Sequence, residues 1–448
     1  MPERPNHVRT PAPPARHARR LTLLLWVALA LPAGPLLAQG CPPGEIFGPH
    51  TGYATGDGAY AVAMGDLDGD GDHDLAVVNH TADTVSVLRN DGAGAFMPAV
   101  SYAVGEGPRS VAMGDLDGDG DSDVVVACID SGDLGVLLNN GDGSFAPAVS
   151  LDGPARPAGV ALADLDGDGD LDLAVAGGFP SVAGVRLNNG DGTFGPLVRY
   201  GDGHQPAAIV IADLDDDGDL DLAVACEQSD DVVVLRNDGD GTFGPGVSHA
   251  AGDQPRSVAA GDLDGDGDVD LVAGNVAGDA VGVFMNRTAQ GDTGAFEARV
   301  RYNAGQLVFS VALGDLDGDG DQDVVVANWL TPFVGVMVNE GDGTLAAPVV
   351  FEAGSSPTGL AIGDLDGDGD GDLASADGFS DGVHVLLNRC DATTCRADLD
   401  GDGILTIFDF LAFQNLFDAM DPAADFDSDG DFTLFDFLAF QNAFDACA

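Results

Sequence analysis

The residues best placed to do chemistry are aspartates. A nine-residue segment, Asp-Leu-Asp-Gly-Asp-Gly-Asp-x-Asp, recurs seven times along the 448 residues. Each copy carries carboxylates at positions 1, 3, 5 and 9. The first three sets are Asp66, Asp68, Asp70, Asp74, then Asp115, Asp117, Asp119, Asp123, then Asp164, Asp166, Asp168, Asp172. The next two are Asp213, Asp215, Asp217, Asp221 and Asp262, Asp264, Asp266, Asp270. The last two are Asp315, Asp317, Asp319, Asp323 and Asp364, Asp366, Asp368, Asp372. A glycine at position 6 permits a sharp turn, and the position-7 carbonyl can add another oxygen. Hard oxygen donors in that number, with no nitrogen or sulfur, favour calcium over transition metals, and magnesium resists such extensive dehydration. Four carboxylates in one short loop repel each other unless a cation lies between them. Metal binding is therefore expected to contribute to folding, as a permanent staple rather than a switch.

The spacing of these loops indicates what positions them. They start 49 residues apart, with one interval of 53. In the second copy an apolar stretch enters the loop (Ser110-Val-Ala-Met-Gly) and a β-branched run leaves it (Asp123-Val-Val-Val-Ala). A third run follows (Leu134-Gly-Val-Leu-Leu-Asn), then a turn at Asn140-Gly-Asp-Gly-Ser, then a fourth strand expected to open with Phe145. Four strand-sized runs per repeat, separated by Gly/Asn/Asp turns, predict one antiparallel sheet per repeat. Seven such sheets predict an all-β, seven-bladed propeller over residues 39–390 rather than an open stack. The ends support closure. The last repeat stops at Leu387-Asn388 without its Phe-Gly-Pro strand, and that piece sits before the first loop as Phe47-Gly48-Pro49 with Tyr53. An N-terminal strand completing the final blade would close the ring and remove its open edges.

With 75 acidic and 17 basic residues and a net charge of −58, the chain is expected to repel nucleic acid and anionic membranes. Its hydrophobic content of 45% is that of a folded protein. The acids concentrate in the repeated loops, which argues against a merely acidic surface. Residues 1–38 read as a signal peptide, with a basic leader (Arg4 to Arg20), the apolar run Leu21 to Leu31, and a cleavage position after Ala38. Sec-type export fits better than twin-arginine export. Gly40-Cys41 suggests lipoprotein anchoring, but Ala38-Gln39 fit a lipobox poorly. No later apolar run approaches the ~20 residues of a membrane span. The expected location is secreted or surface-associated.

The motif Asp-x-Asp-x-Asp-Gly-x-x-Asp, the Phe-Gly-Pro strand start and the sevenfold count resemble the FG-GAP/VCBS repeat family, of which the integrin alpha-chain head propellers are the best-known members. The resemblance spans about residues 47–388. It implies calcium in the loop between the first two strands of every blade, all on one rim, held by positions 1, 3, 5 and 9 and the position-7 backbone. The fourth loop departs only at position 4, where Asp216 replaces glycine.

After a linker at 391–397, residues 398–448 follow another pattern, duplicated at 27 residues. Two twelve-residue loops place oxygen ligands at Asp398, Asp400, Asp402, Thr406 and Asp409, and at Asp425, Asp427, Asp429, Thr433 and Asp436. Each resembles an EF-hand loop with Asp instead of Glu at position 12. Each runs into the segment Phe-Leu-Ala-Phe-Gln-Asn-x-Phe, whose apolar spacing predicts a helix. The pair resembles a dockerin-type module, which implies a small α-helical domain docking onto a cohesin-like partner. At the positions that select the partner in that family, this chain has Ile407-Phe408 and Leu434-Phe435. Ten of the 22 Phe lie in these 51 residues, more than so small a core can bury, which suggests a docking surface.

An exported chain permits disulfides. Cys41 and Cys390 flank the closing blade and could lock it, with Cys390–Cys395 as the rival pairing, while Cys395 and Cys447 bracket the C-terminal module. Cys128 and Cys226 occupy equivalent strand positions in non-neighbouring blades and are expected to be buried thiols. No zinc-protease pairing or nucleophile motif is found, so no catalytic residue is assigned. The expected role is a non-enzymatic, calcium-bound propeller that binds an extracellular protein or glycan through its loop faces. Alternatives are a polysaccharide-active lyase or hydrolase on the same propeller, or a structural surface component.

Overall fold

The computed structural model describes residues 41–178, 183–201, 205–287, 296–390, 411–414 and 416–417. Within them the chain forms seven four-stranded antiparallel sheets. Blade 1 contains Ala59–Gly65, Asp74–Asn79, Thr84–Leu88 and Val100–Ala103, paired in that order from the innermost strand outward. The innermost strands of blades 2 to 7 are Pro108–Gly114, Gly159–Ala163, Pro206–Ala212, Pro255–Gly261, Val308–Gly314 and Pro357–Gly363.

The second strand of each blade, such as Asp123–Cys128, is buried at every residue. Sheets packed on both faces need such unbroken apolar runs instead of alternation. The core consists of seven clusters, each shared by two adjacent blades. One joins Leu67, Val78 and Val87 of blade 1 to Val124, Val126 and Phe145 of blade 2. Another joins Leu365, Ala374 and Val385 of blade 7 to Val62, Leu75 and Val77 of blade 1. Each fully buried Val or Leu stabilises by roughly 1.5–3 kcal/mol, and every such contribution requires the neighbouring blade.

The closing blade is composite, as expected. Thr51–Ala54 pairs antiparallel with Gly382–Leu386, Thr51 opposite Val385, and Phe47 bridges to Asn388. A Cys41–Cys390 disulfide spans 349 residues of sequence, which excludes the Cys390–Cys395 alternative. Cys41 also donates its N–H to the Asp317 carbonyl at 2.7 Å, tying the segment to the blade 6 loop. His384 reinforces the joint, with Nδ1 3.0 Å from Nδ1 of His50 and Nε2 3.0 Å from Ser380 Oγ. The buried Asp377 carboxylate lies 3.4 Å from that same Nε2. Hydroxyl and carboxylate therefore share one ring nitrogen, whereas a catalytic relay needs them on opposite ones. Cys128 and Cys226 are both buried and outside any disulfide among the described residues.

The fourth strand starts later than the sequence pattern suggested. Phe145 makes a single bridge with Asn139, and the strand itself is Val149–Asp152. Pro147 lies between them and has no N–H for the ladder. In the C-terminal region, 411–414 and 416–417 are helical, with Phe413 buried and its ring centroid 5.6 Å from that of Phe417. Among the described residues of the C-terminal region only this short helix is present, so the expected α-helical domain is not supported beyond it. The paired loops, Cys395, Cys447 and the signal peptide lie outside the described residues. Among the described residues, no helix is long and apolar enough to cross a membrane.

Reducing the disulfide, or Cys390→Ser, is expected to lower the unfolding free energy by roughly 2–5 kcal/mol, measured by denaturant titration. An unchanged midpoint would show that blade pairing alone keeps the ring closed.

Candidate metal centres

Each acidic loop joins the first strand of its blade to the second, and its backbone folds around its own side chains. In blade 1, Asp66 at position 1 accepts from the Gly69 N–H at 2.8 Å and the Gly71 N–H at 3.1 Å. Gly71 at position 6 has φ +95°, a conformation that L side chains rarely adopt. Asp216, the one non-glycine at position 4, also has positive φ, at +58°.

Position 9 is the first residue of the buried strand, and both of its oxygens are engaged. Asp74 Oδ2 accepts the Leu67 N–H at 3.0 Å, and Oδ1 accepts the Asn90 N–H at 2.7 Å. The same pair of bonds recurs at Asp123, Asp172, Asp221, Asp270, Asp323 and Asp372. Burial penalises the charged form and outweighs these donors. It raises Asp74, Asp123, Asp172 and Asp323 to about 6, and Asp270 and Asp372 to about 7. Asp221 is also raised by burial, against the pull of Arg236.

At position 3 the loop leaves a single carboxylate oxygen without a partner. One carboxylate oxygen of Asp68, Asp117, Asp215, Asp264 and Asp366 is buried with no hydrogen-bond partner. Burial raises the pKa of Asp68, Asp117, Asp166, Asp215 and Asp366, and lifts Asp317 to about 7. Position 5 is more exposed in most copies and turns inward to its own loop, as where Asp70 Oδ1 accepts the Asp72 N–H at 3.0 Å.

Ligand atoms of positions 1, 3 and 9 lie within 4.8 Å of one another in blades 2 to 5, in the groups Asp115/Asp117/Asp123, Asp164/Asp166/Asp172, Asp213/Asp215/Asp221 and Asp262/Asp264/Asp270. In blade 1 the group is Asp66/Asp68/Asp70. Positions 1 and 3 thus converge in all five of these blades, joined by position 9 in four of them and by position 5 in blade 1. An all-oxygen cluster holding an unpartnered buried oxygen fits a hard divalent cation. The loops are not equivalent, however. Arginines approach position 3 in three blades: Arg89 lies 3.6 Å from Asp68, Arg236 3.6 Å from Asp215, and Arg287 2.7 Å from Asp264.

The sequence pattern places this asparagine, Asn139 in blade 2, at the end of the third-strand run and gives it no further role. The structure makes it the clasp between blades. Asn139 Nδ2 donates to the Leu67 carbonyl of the preceding blade's acidic loop at 2.8 Å. Asn188, Asn237, Asn286, Asn339, Asn388 and Asn90 repeat the bond onto Leu116, Leu165, Leu214, Leu263, Leu316 and Leu365 at 2.7–3.0 Å. The only sequence signal was that this residue is Asn in all seven copies.

The family described as FG-GAP-like repeat matches residues 66–126, 115–175, 213–273 and 315–375, together just over half of the chain. The chain belongs to the FG-GAP-like repeat family. Each match runs from one acidic loop through the next, and so holds a position-9 aspartate and the asparagine whose backbone N–H it accepts. No curated protein matches the chain. Among solved structures, BBS1N in complex with ARL6DN is similar at 15% identity and TM-score 0.54, covering 76% of this chain and 96% of that one. A catalytically inactive virginiamycin B lyase from Staphylococcus aureus with quinupristin is similar at 15% identity and TM-score 0.50, covering 75% and 98%. These likenesses show the fold. A lectin from Agrocybe aegerita that recognises non-reducing terminal N-acetylglucosamine is 23% identical at TM-score 0.48, covering 74% and 95%.

Two predictions follow from the FG-GAP-like loops. In metal-free protein, Asp123→Asn replaces one of the two oxygens that accept backbone N–H groups with an NH2 donor and should cost about 1–3 kcal/mol. Asp117→Asn removes an oxygen that has no partner and should leave metal-free stability unchanged or higher. Equal losses in denaturant titrations would contradict these separate roles. The position-9 groups also set a pH dependence. Their folded pKa values are raised, so their contribution is fully present below the unfolded value and lost as pH rises through about 6 to 7. The melting temperature of chelated protein should therefore fall between pH 5 and pH 8; a rise would refute the assignment.

Proposed function

We propose that this is a secreted, calcium-stabilised propeller that acts as a binding or adhesion module for an extracellular protein or glycan. A dockerin-like C-terminal tail would tether it to a cohesin-like or surface partner. The observation that carries the calcium reading is the buried, unpartnered oxygen at position 3, next to the carboxylates of positions 1 and 9. Calcium would be held by positions 1, 3, 5 and 9 and would supply charge neutralisation. The Cys41–Cys390 disulfide supports an oxidising, extracellular setting. Arginine beside position 3 competes with the ion, so the loops of blades 1, 4 and 5 should bind more weakly than that of blade 2.

Extracellular calcium sites often bind at roughly 0.1–1 mM, and a ligand at ten times its dissociation constant stabilises by roughly 1.4 kcal/mol per site. Calcium at 10 mM should therefore raise the melting temperature of chelated protein steeply, and Asp117→Asn should lose part of that gain. A melting temperature indifferent to calcium and chelator would defeat the proposal. For ligand class, a glycan array run alongside hydrolysis and lyase assays is decisive: binding without turnover is expected, and turnover would replace the non-enzymatic reading.

A further inference from the structure

The innermost strands start at the end of the ring opposite the acidic loops, and there the seven repeats stop being alike. The residue six before each acidic loop is Tyr60, Arg109, Ala158, Ala207, Arg256, Phe309 or Thr358. All seven line one cavity of about 280 Å³ at the mouth of the central channel. In six blades this residue is the extra one in a β-bulge, as where Pro108 pairs with Cys128 and Ser110 with Ala127. A bulge leaves a residue unpaired and re-aims its side chain, and bulges concentrate beside functional sites. The fold repeats the bulge and leaves the residue it presents free to vary.

The side chains there form an asymmetric cluster. The Arg256 guanidinium lies 4.2 Å from the Phe309 ring centroid, donates to Glu227 at 2.7 Å, and reaches across the channel to the Tyr60 hydroxyl. Its charge is therefore answered by Glu227. Arg109 differs. Its guanidinium carbon lies 5.4 Å from the Tyr60 ring centroid, and its Nε is buried without a hydrogen-bond partner. Among the described residues no carboxylate pairs with Arg109, in a chain with 75 acidic residues. Between the two arginines, blades 3 and 4 present only Ala158 and Ala207, which leaves room. Ser110 and Ser257 line the same cavity and accept backbone N–H groups from Val160 and Val311, so their hydroxyl protons remain available to a ligand.

We infer that the channel mouth, over Ala158 and Ala207, is a binding site for a small monocarboxylate, with Arg109 taking the carboxylate. One unanswered guanidinium matches one negative charge, and the net charge of −58 disfavours a more highly charged anion. The cavity volume limits the ligand to about monosaccharide size or smaller. This site does not depend on what the acidic loops hold, so calcium-dependent stability and carboxylate binding succeed or fail separately.

Trp329 supplies the reporter, because its ring lies 5.6 Å from that of Phe309 and the chain's only other tryptophan is Trp26. The full chain is titrated with glucuronate, glucose, lactate and inorganic phosphate while fluorescence is followed, with Trp329→Phe as the blank. Saturation by glucuronate but not glucose is expected; added saturation by lactate would point to a free small acid rather than an acidic sugar. Arg109→Gln, which breaks no hydrogen bond, should weaken binding at least tenfold with an unchanged melting temperature. Ala207→Leu should abolish binding by filling the cavity while leaving Arg109 in place. The proposal is overturned if neither carboxylate saturates, if glucose binds as well as glucuronate, if phosphate alone binds, or if both variants bind like the parent.

Discussion

The ring depends on a buried carboxylate at the start of each second strand. Asp123 shows the arrangement: one oxygen holds the Leu116 amide of its own loop and the other holds the Asn139 amide after the third strand. Asn139 then uses its side chain to grip the Leu67 carbonyl of the blade before it. Loop, blade and inter-blade joint are therefore one hydrogen-bonded unit, and the unit repeats around the ring. It carries an internal conflict, because burial disfavours the charge that makes the carboxylate a good acceptor. A divalent cation among positions 1, 3 and 9 would resolve that conflict by favouring the ionised form.

Most of the architecture was legible in the sequence because it is periodic. The 49-residue interval, the apolar second strand and the displaced Phe-Gly-Pro strand gave blade count, strand count and ring closure. What was not legible lies in features that leave periodicity intact. Asn139 closes the third-strand run just before the Asn140-Gly-Asp-Gly turn, so its reach to the preceding blade had no separate signature. The bulge at Arg109 adds one residue to a strand without disturbing the spacing of the acidic loops. Phe145 was read as opening a fourth strand that carries a nearby proline, but that residue, Pro147, interrupts the ladder.

The two ends of the propeller obey different constraints. At the acidic end each copy repeats the same ligand set, because every loop must close the same joint. At the opposite end the bulged residue runs from alanine to arginine to tyrosine, because the backbone holds without help from that side chain. Repetition therefore marks what holds the ring together, and variation among the copies marks what is free to meet a partner. The division is visible within one chain.

The composite closing blade has a consequence for how the molecule is assembled. Blades 1 to 6 are each built from a continuous stretch of chain and can zip up from nearby contacts. The seventh must bring Thr51 to Val385, so most of the polypeptide must be in place first. Long-range pairing of this kind is slow, and until it occurs the outer edge of Gly382–Leu386 is an open template for other strands. A half-made ring of this protein is thus its most aggregation-prone form, and the segment around residue 51 is the latch that ends that exposure.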